Sequence, residues 1–181
     1  DTYFVVGHFH VVMGISPILA LCGGIHHWFP LITGRVMNDT LGKGHFWATF
    51  AGAYLIYLPM HYLGLGGVLR RYYDFRGLSY VSESLTDMNV FITLASIVVG
   101  IVQFIFLFNL IWSYFKGRQV NSNPWRATTL EWQTPSMPPS HGNWPTKLPI
   151  VHRWPYDYSV PGALQDYIPQ NTPDNIDDYE S

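Results

Sequence analysis

The chain has 181 residues and a formal net charge of −2, so there is no electrostatic case for a nucleic-acid partner. Its only cysteine, Cys22, excludes a disulfide within the chain and cysteine-rich zinc or iron–sulfur sites. Three stretches, residues 2–34, 44–69 and 88–115, contain no Asp, Glu, Lys or Arg. Each exceeds the roughly 20 residues that a membrane-spanning helix needs. The sequence therefore predicts an all-α fold, an integral membrane helical bundle segment.

The first transmembrane helix is predicted at about residues 3–29. Asp1 and Thr2 are placed to act as a dipole partner and an N-cap. Pro30 and Gly34 are typical residues for ending a helix, so we expect the helix to stop before them.

The second and third transmembrane helices are predicted at about residues 44–65 and 84–115. The third is rich in Ile, Val, Phe and Leu and ends at Lys116. Together, residues 1–116 are predicted to form one membrane region with three helices.

Lysine and arginine residues in the connecting loops predict the orientation of these helices. The side that carries the tail has more of them than the opposite side, which places the tail in the cytoplasm or the matrix. The tail side receives Arg35, Lys43, Lys116, Arg118 and Arg126, and the opposite side receives Arg70, Arg71 and Arg76.

The tail, residues 117–181, has a different composition from the rest of the chain. It holds all of the 13 prolines except Pro17, Pro30 and Pro59. Such a stretch lacks helical or strand periodicity and cannot build its own core. We expect it to run extended over the bundle or a neighbouring subunit with tryptophans as anchors, and disorder is the alternative, above all after Pro173.

Two histidines near the start of the first helix are the strongest chemical signal. Ionisable residues inside a membrane are costly and mark functional sites. His8 and His10 are about 200° apart around an α-helix, so they cannot readily chelate one metal ion, but they could serve two planar cofactors on opposite sides. Neutral imidazole is a common axial ligand of haem iron. The spacing alone leaves open that both histidines form hydrogen bonds with neighbouring helices.

Arg70 and Arg71 lie in the loop that is predicted to return to the membrane face of the two histidines. Their guanidinium groups would pair well with the propionate carboxylates of a haem held there. A contact with lipid phosphate or a surface pair with Asp74 is the alternative.

Several segments in order along the chain resemble the large subunit of cytochrome c oxidases, which are haem–copper respiratory oxidases. The likeness covers roughly residues 1–116, and the tail resembles bacterial versions. The segments that carry it are residues 1–10 (DTYFVVGHFH), 27–30 (HWFP), 38–40 (NDT), 59–64 (PMHYLG), 70–72 (RRY), 129–132 (TLEW) and 153–158 (RWPYDY).

The resemblance implies a catalytic role for the first helix. His8 would be the axial ligand of the high-spin haem, where oxygen binds, and His10 an axial ligand of the low-spin haem that relays electrons. Phe9 would lie between the two haems, which are expected to be of the haem a type.

The resemblance also implies roles at the end of the bundle that holds the histidines. Arg70 and Arg71 would hold haem propionates, and Asp1 would belong to a site for Mg²⁺ or Mn²⁺, where carboxylate oxygen suits a hard cation. The family has a histidine immediately before that aspartate, whereas this chain begins at Asp1. Gly7 stands where alanine is common in the family.

The other polar residues of the helices are expected to have structural roles. We assign hydrogen bonding or capping to His26, His27, Asp39, His45 and His61 before any part in proton transfer. Cys22 is expected to be a core residue.

The same resemblance implies a larger assembly. The ligands of the active-site copper lie in earlier helices in this family, so this segment alone would not be active. Its partners would be the remaining N-terminal part of subunit I, subunits II and III, membrane lipids, cytochrome c as electron donor and a respiratory supercomplex. The expected location is the bacterial inner membrane, with the mitochondrial inner membrane as the alternative.

Three other functions are compatible with these residues. One is a quinol oxidase of the same superfamily. The second is a non-catalytic membrane haem protein that carries electrons through His8 and His10. The third is a transporter or channel subunit whose histidines relay protons without haem.

Overall fold

Helices dominate the first two thirds of the chain in the computed structural model, which describes residues 1–74, 77–120, 123–145 and 147–173. This agrees with the predicted all-α class. The helices are α1 (Tyr3–Phe9), a π-helix (His10–Ile15) that continues it, α2 (Ser16–Thr33), α3 (Asp39–Leu65) and α4 (Glu83–Lys116).

Two helical stretches of the described residues are long and apolar enough to cross a membrane, namely Tyr3–Thr33 and Glu83–Lys116. The 27 residues of α3 also exceed the spanning length, but polar residues such as Lys43, His45 and His61 make this helix less apolar. Three long helices therefore form, while the count of three membrane spans stays a prediction.

The sequence predicted that the first transmembrane helix stops before Pro30, but the helix continues past this residue. Pro30 lies inside α2, which ends at Thr33. The end comes instead at Gly34, whose φ of 68° is the left-handed conformation that glycine adopts without steric cost. The Gly34 N–H donates to the carbonyl of Pro30 at 2.8 Å, which satisfies one carbonyl of the last turn.

Thr2 was expected to cap the first helix, but its side chain makes no capping hydrogen bond. Its backbone is extended and forms an antiparallel bridge with Leu69. The next residue, Tyr3, donates its N–H to the carbonyl of Val68 at 3.0 Å. The chain start is therefore held by backbone pairing rather than by a side-chain cap.

The second predicted transmembrane helix corresponds to α3, which begins at Asp39 rather than near residue 44. Asn38 caps it, because its side-chain oxygen accepts a hydrogen bond from the Leu41 N–H at 3.0 Å. Asparagine is a strong N-cap residue, so this start could have been identified from the sequence.

The core of the first compact unit, residues 1–26 and 37–115, lies between α3, α4 and the loop that joins them. Its buried members are Ile56, Leu63, Val68 and Ile92. Close helix contact explains two glycines: a Cβ on Gly64 would overlap the backbone of Phe4, and one on Gly7 would lie 2.9 Å from the carbonyl oxygen of Tyr57.

The second compact unit combines residues 27–36 with the tail. A two-stranded antiparallel sheet pairs β1 (Arg35–Val36) with β2 (Arg118–Gln119), and a 3₁₀ helix covers Leu130–Trp132. Trp132 is only 1% exposed.

The tail around Trp132 therefore packs against residues 27–36, while its extended course over the bundle or a neighbouring subunit stays a prediction. Trp125 Nε1 donates to the carbonyl of His27 at 3.0 Å, and the His27 ring lies edge-on to Trp132. The partners come from a distant part of the chain, so no local periodicity reveals them. The end at 174–181, where disorder was expected, and Arg76 lie outside the described residues.

Candidate haem-ligating site

Gly7 determines how the start of the first helix faces α3. It is buried, and a Cβ there would lie 3.0 Å from the His61 Nδ1. At about 100° per residue, His8 is turned about 100° to one side of Gly7, and His10 about 60° to the other. The α1–α3 contact therefore runs between the two imidazoles.

The His10 imidazole is held in one orientation by its own helix. Its Nδ1 donates to the carbonyl of Val6 at 2.8 Å, and its ring stacks on Tyr57 with a centroid distance of 5.4 Å and an interplanar angle of 26°. A hydrogen bond at Nδ1 fixes the tautomer and leaves the Nε2 lone pair for a metal. The side chain is exposed within this chain, as an axial ligand must be.

The His8 imidazole is bordered by aromatic rings. Its ring centroid lies 6.4 Å from Phe4, 6.0 Å from Phe9 and 6.2 Å from His61. Within residues 1–74, 77–120, 123–145 and 147–173, neither of its ring nitrogens has a hydrogen-bond partner. The sequence left open that both histidines form hydrogen bonds with neighbouring helices. Within the described residues, neither of them does.

His10 is also the first residue of the π-helix, His10–Ile15. Such wide turns are frequent at functional sites. The Ser16 hydroxyl donates to the carbonyl of Val11, five residues back, at 3.2 Å. Nothing in the sequence pattern predicted this segment.

Arg70 lies beside the chain start. Its Nε donates to Asp1 Oδ1 at 2.8 Å, and its backbone N–H donates to the Asp1 carbonyl at 3.2 Å. Arg71 is exposed and makes no hydrogen bond to the part of the chain that the structure describes. The loop therefore reaches the chain start, seven residues before His8, through backbone and side-chain bonds.

Asp1 uses its carboxylate for this ion pair, which sequence reasoning did not identify. The two charges are 69 positions apart, and no local pattern connects them. Among the described residues, no group of three or more His, Cys, Asp or Glu side chains could hold a metal ion. Asp1 could at most contribute one ligand.

Three other helix histidines, His26, His45 and His61, make hydrogen bonds inside the first unit. His45 Nε2 and the side-chain oxygen of Gln103 are 3.0 Å apart, and His61 Nδ1 donates to the Tyr57 carbonyl at 2.7 Å. His26 Nδ1 donates to the Cys22 carbonyl at 2.9 Å. Cys22 is half-buried rather than a full core residue.

These residues fit haem as a cofactor. Two imidazoles flank one helix, and both histidines are exposed within this chain. The basic side chains of Arg70 and Arg71 lie on the loop that is bonded to the chain start, near the two histidines. This is where the acidic propionate groups of a haem would need cations. The class of protein that the fold and this arrangement define is a membrane helical bundle with paired histidines on one helix.

The comparisons with known proteins agree with this class. Residues 1–98 match the family model described as cytochrome C and quinol oxidase polypeptide I. The chain belongs to this family, whose fold is a transmembrane helical bundle.

Among its relatives, the chain is 61% identical over 96% of its length to the alternative cytochrome c oxidase subunit 1 of Bradyrhizobium diazoefficiens. It is 43% identical over 92% of its length to the cytochrome c oxidase subunit 1 of Synechocystis sp.. A third relative, from Thermostichus vulcanus, carries the same name and is 41% identical over 88% of the chain. The chain spans 29%, 29% and 28% of the length of these relatives.

Proposed function

We propose that this chain is the C-terminal part of the catalytic subunit of a respiratory terminal oxidase. In this role it contributes to electron transfer from cytochrome c to oxygen, coupled to proton pumping. Family membership and relatives named as subunit 1 of cytochrome c oxidases support the proposal. The observation that carries it is the placement of His8 and His10 on either side of the Gly7 contact, both as exposed residues.

The two histidines have separate roles in this proposal. His8 is the axial ligand of a high-spin haem, and His10 is an axial ligand of a low-spin haem. When bound, haem supplies one-electron redox chemistry and, at the high-spin position, a site for dioxygen. The bond from His10 Nδ1 to the Val6 carbonyl would leave Nε2 as the nitrogen that holds the haem iron. Phe9, 53% exposed, lies between the two ligands in sequence and is proposed to lie between the haems.

Arg70 and Arg71 are proposed to bind the haem propionates. Both guanidinium groups lie on a loop that is tied to the start of α1 through Thr2 and Asp1. Arg70 uses Nε for Asp1, and its two terminal nitrogens are proposed as the donors to a propionate carboxylate. Asp1 is proposed as one ligand of a Mg²⁺ or Mn²⁺ site whose other ligands lie outside this chain.

The rest of the active enzyme is proposed to come from other segments. The active-site copper would be held by the remaining N-terminal part of subunit I, so this segment would have no activity by itself. Subunits II and III, membrane lipids, cytochrome c and a respiratory supercomplex would be its partners in a bacterial inner membrane.

The electron donor distinguishes this proposal from its nearest alternative. The family description covers both cytochrome c and quinol oxidases, whereas the relatives reported above are named for cytochrome c. Reduced cytochrome c is therefore the expected donor, and a quinol is the second candidate.

An optical spectrum of the purified oxidase containing this chain tests the proposed function. We expect two haems per subunit, of which only one binds carbon monoxide after reduction. Oxygen uptake should then be supported by reduced cytochrome c and not by a quinol. A complex without haem bands would overturn the proposal, and uptake with quinol alone would establish the alternative.

A further inference from the structure

One turn of α3 touches both proposed ligands. The Tyr57 ring stacks on the imidazole of His10 at 5.4 Å. One turn later, the ring of His61 meets the imidazole of His8 edge to face, at 6.2 Å and 88°. Residues four apart lie on one side of an α-helix, and this side of α3 packs against Gly7 between the two histidines.

The supporting ring of His61 is itself held in place. His61 Nδ1 donates to the Tyr57 carbonyl at 2.7 Å, which restricts rotation of the His61 ring. Phe4 meets His61 edge to face at 4.9 Å and lies nearly parallel to His8. Helix α3 approaches α1 closely because Gly7 has no side chain. The carbonyl oxygen of Tyr57 is the nearest atom that a Cβ at this position would meet.

His8 and His10 have different needs for support. His10 has one bond of its own to Val6, so its ring can still rock about that bond unless a neighbour restrains it. His8 has no hydrogen bond to the described residues, so aromatic contacts are what restrain its ring. Aromatic pairs prefer offset-stacked or edge-to-face geometry, and the two contacts provide one of each.

We propose that Tyr57 and His61 are positioning residues, which set the imidazole planes of His10 and His8 respectively. This rests on the proposed function, since it presumes that both imidazoles bind haem iron. The orientation of an axial imidazole determines how its orbitals overlap with those of the iron, and residues outside the ligand shell tune a metal in this way. A single turn of α3 thus adjusts two redox centres separately.

The test uses substitutions in the whole oxidase and two spectroscopic readouts. Electron paramagnetic resonance of the oxidised enzyme reports the low-spin haem through its g values. Resonance Raman of the reduced enzyme reports the high-spin haem through its iron–histidine stretching band. Haem content per subunit is measured for every variant, and Tyr62→Leu, at an exposed tyrosine on the same helix, is the matched control.

Tyr57→Leu is expected to shift the low-spin g values and leave the iron–histidine band unchanged. Tyr57→Phe keeps the stacked ring and should restore the original g values. His61→Leu is expected to shift the iron–histidine band and leave the g values unchanged. His61→Phe, which keeps a ring but loses the bond to the Tyr57 carbonyl, should shift that band less.

A general loss of structure would affect both haems together. Equal disturbance of both signals by one variant, loss of both haems, or no change in either signal would therefore overturn the positioning role. If the unsubstituted oxidase lacked haem, or if removing the His8 and His10 imidazoles changed neither haem, the proposed function itself would fail. Failure of the positioning role and failure of the proposed function are distinguishable, because only the proposed function is tested by removing the ligands His8 and His10.

Discussion

Asp1 and Arg70 join the chain start to the loop after α3, with Oδ1 and Nε 2.8 Å apart. The ion pair is only partly shielded from solvent, since the two side chains are 68% and 32% exposed. Exposed pairs of this kind contribute roughly 0–1 kcal/mol. The ion pair therefore positions Arg70 and contributes little to the stability of the fold.

The arginine loop should influence the redox potential of the low-spin haem. Arg70→Leu or Arg71→Leu is expected to lower that potential, because a nearby positive charge disfavours the oxidised iron and its removal favours it. Redox titration of the purified oxidase measures the effect. Lys43→Leu, which removes an exposed cation paired with Asp39, is the control and should leave the potential unchanged. Unaltered potentials in both arginine variants would refute their proposed role.

Close packing at Gly64 should make this position intolerant of a side chain. Gly64→Ala would place a Cβ against the backbone of Phe4, and overpacking of this kind costs about 1–3 kcal/mol. We expect the variant to lose haem at a lower temperature than the original oxidase. Gly23→Ala is the matched control because nothing lies within 4 Å of its Cβ. Equal thermal behaviour of the two variants would show that the α1–α3 contact is looser than described.

A buried polar link between α3 and α4 should matter for stability. Gln103 on α4 bonds to two residues of α3: its side-chain oxygen accepts from His45 Nε2 at 3.0 Å, and its side-chain nitrogen donates to Thr49 Oγ1 at 3.1 Å. His45 and Thr49 are 2% and 1% exposed. Gln103→Leu leaves both without this partner, at about 1–3 kcal/mol for each unsatisfied group.

The measurement for Gln103→Leu is the midpoint of thermal unfolding of the oxidase in detergent. Ser96→Ala is the control, since among the described residues the Ser96 hydroxyl bonds only to the Ile92 carbonyl one turn before it. The Gln103 variant should unfold at a clearly lower temperature. A midpoint no lower than that of the control would mean that water replaces the lost partners.

The apolar stretches predicted the helices well because charge-free runs are a direct physical signature of membrane helices. The helix ends were harder. Gly34 and Asn38 are typical end and start residues, but the stop that the sequence predicts at Pro30 does not occur, because this proline is tolerated inside α2. The family was identifiable because several motifs occur in order, and the match over residues 1–98 confirms it.

Long-range partners could not be predicted from the sequence. The Asp1–Arg70 pair and the burial of Trp132 beside residues 27–36 depend on how distant segments meet. The Tyr57 and His61 contacts depend on the same packing, which Gly7 and Gly64 permit. Spacing shows which residues share a helix face, but not which neighbour covers that face.

The most direct test of the central claim compares His8→Asn with His10→Asn in the complete oxidase. The claim is that the two imidazoles bind two different haem irons. His8→Asn should disturb the carbon-monoxide-binding haem and leave the low-spin spectrum largely intact. His10→Asn should remove the low-spin signal and block electron delivery, while the other haem still binds carbon monoxide. Loss of the same haem in both variants, with the other spared, would contradict the account.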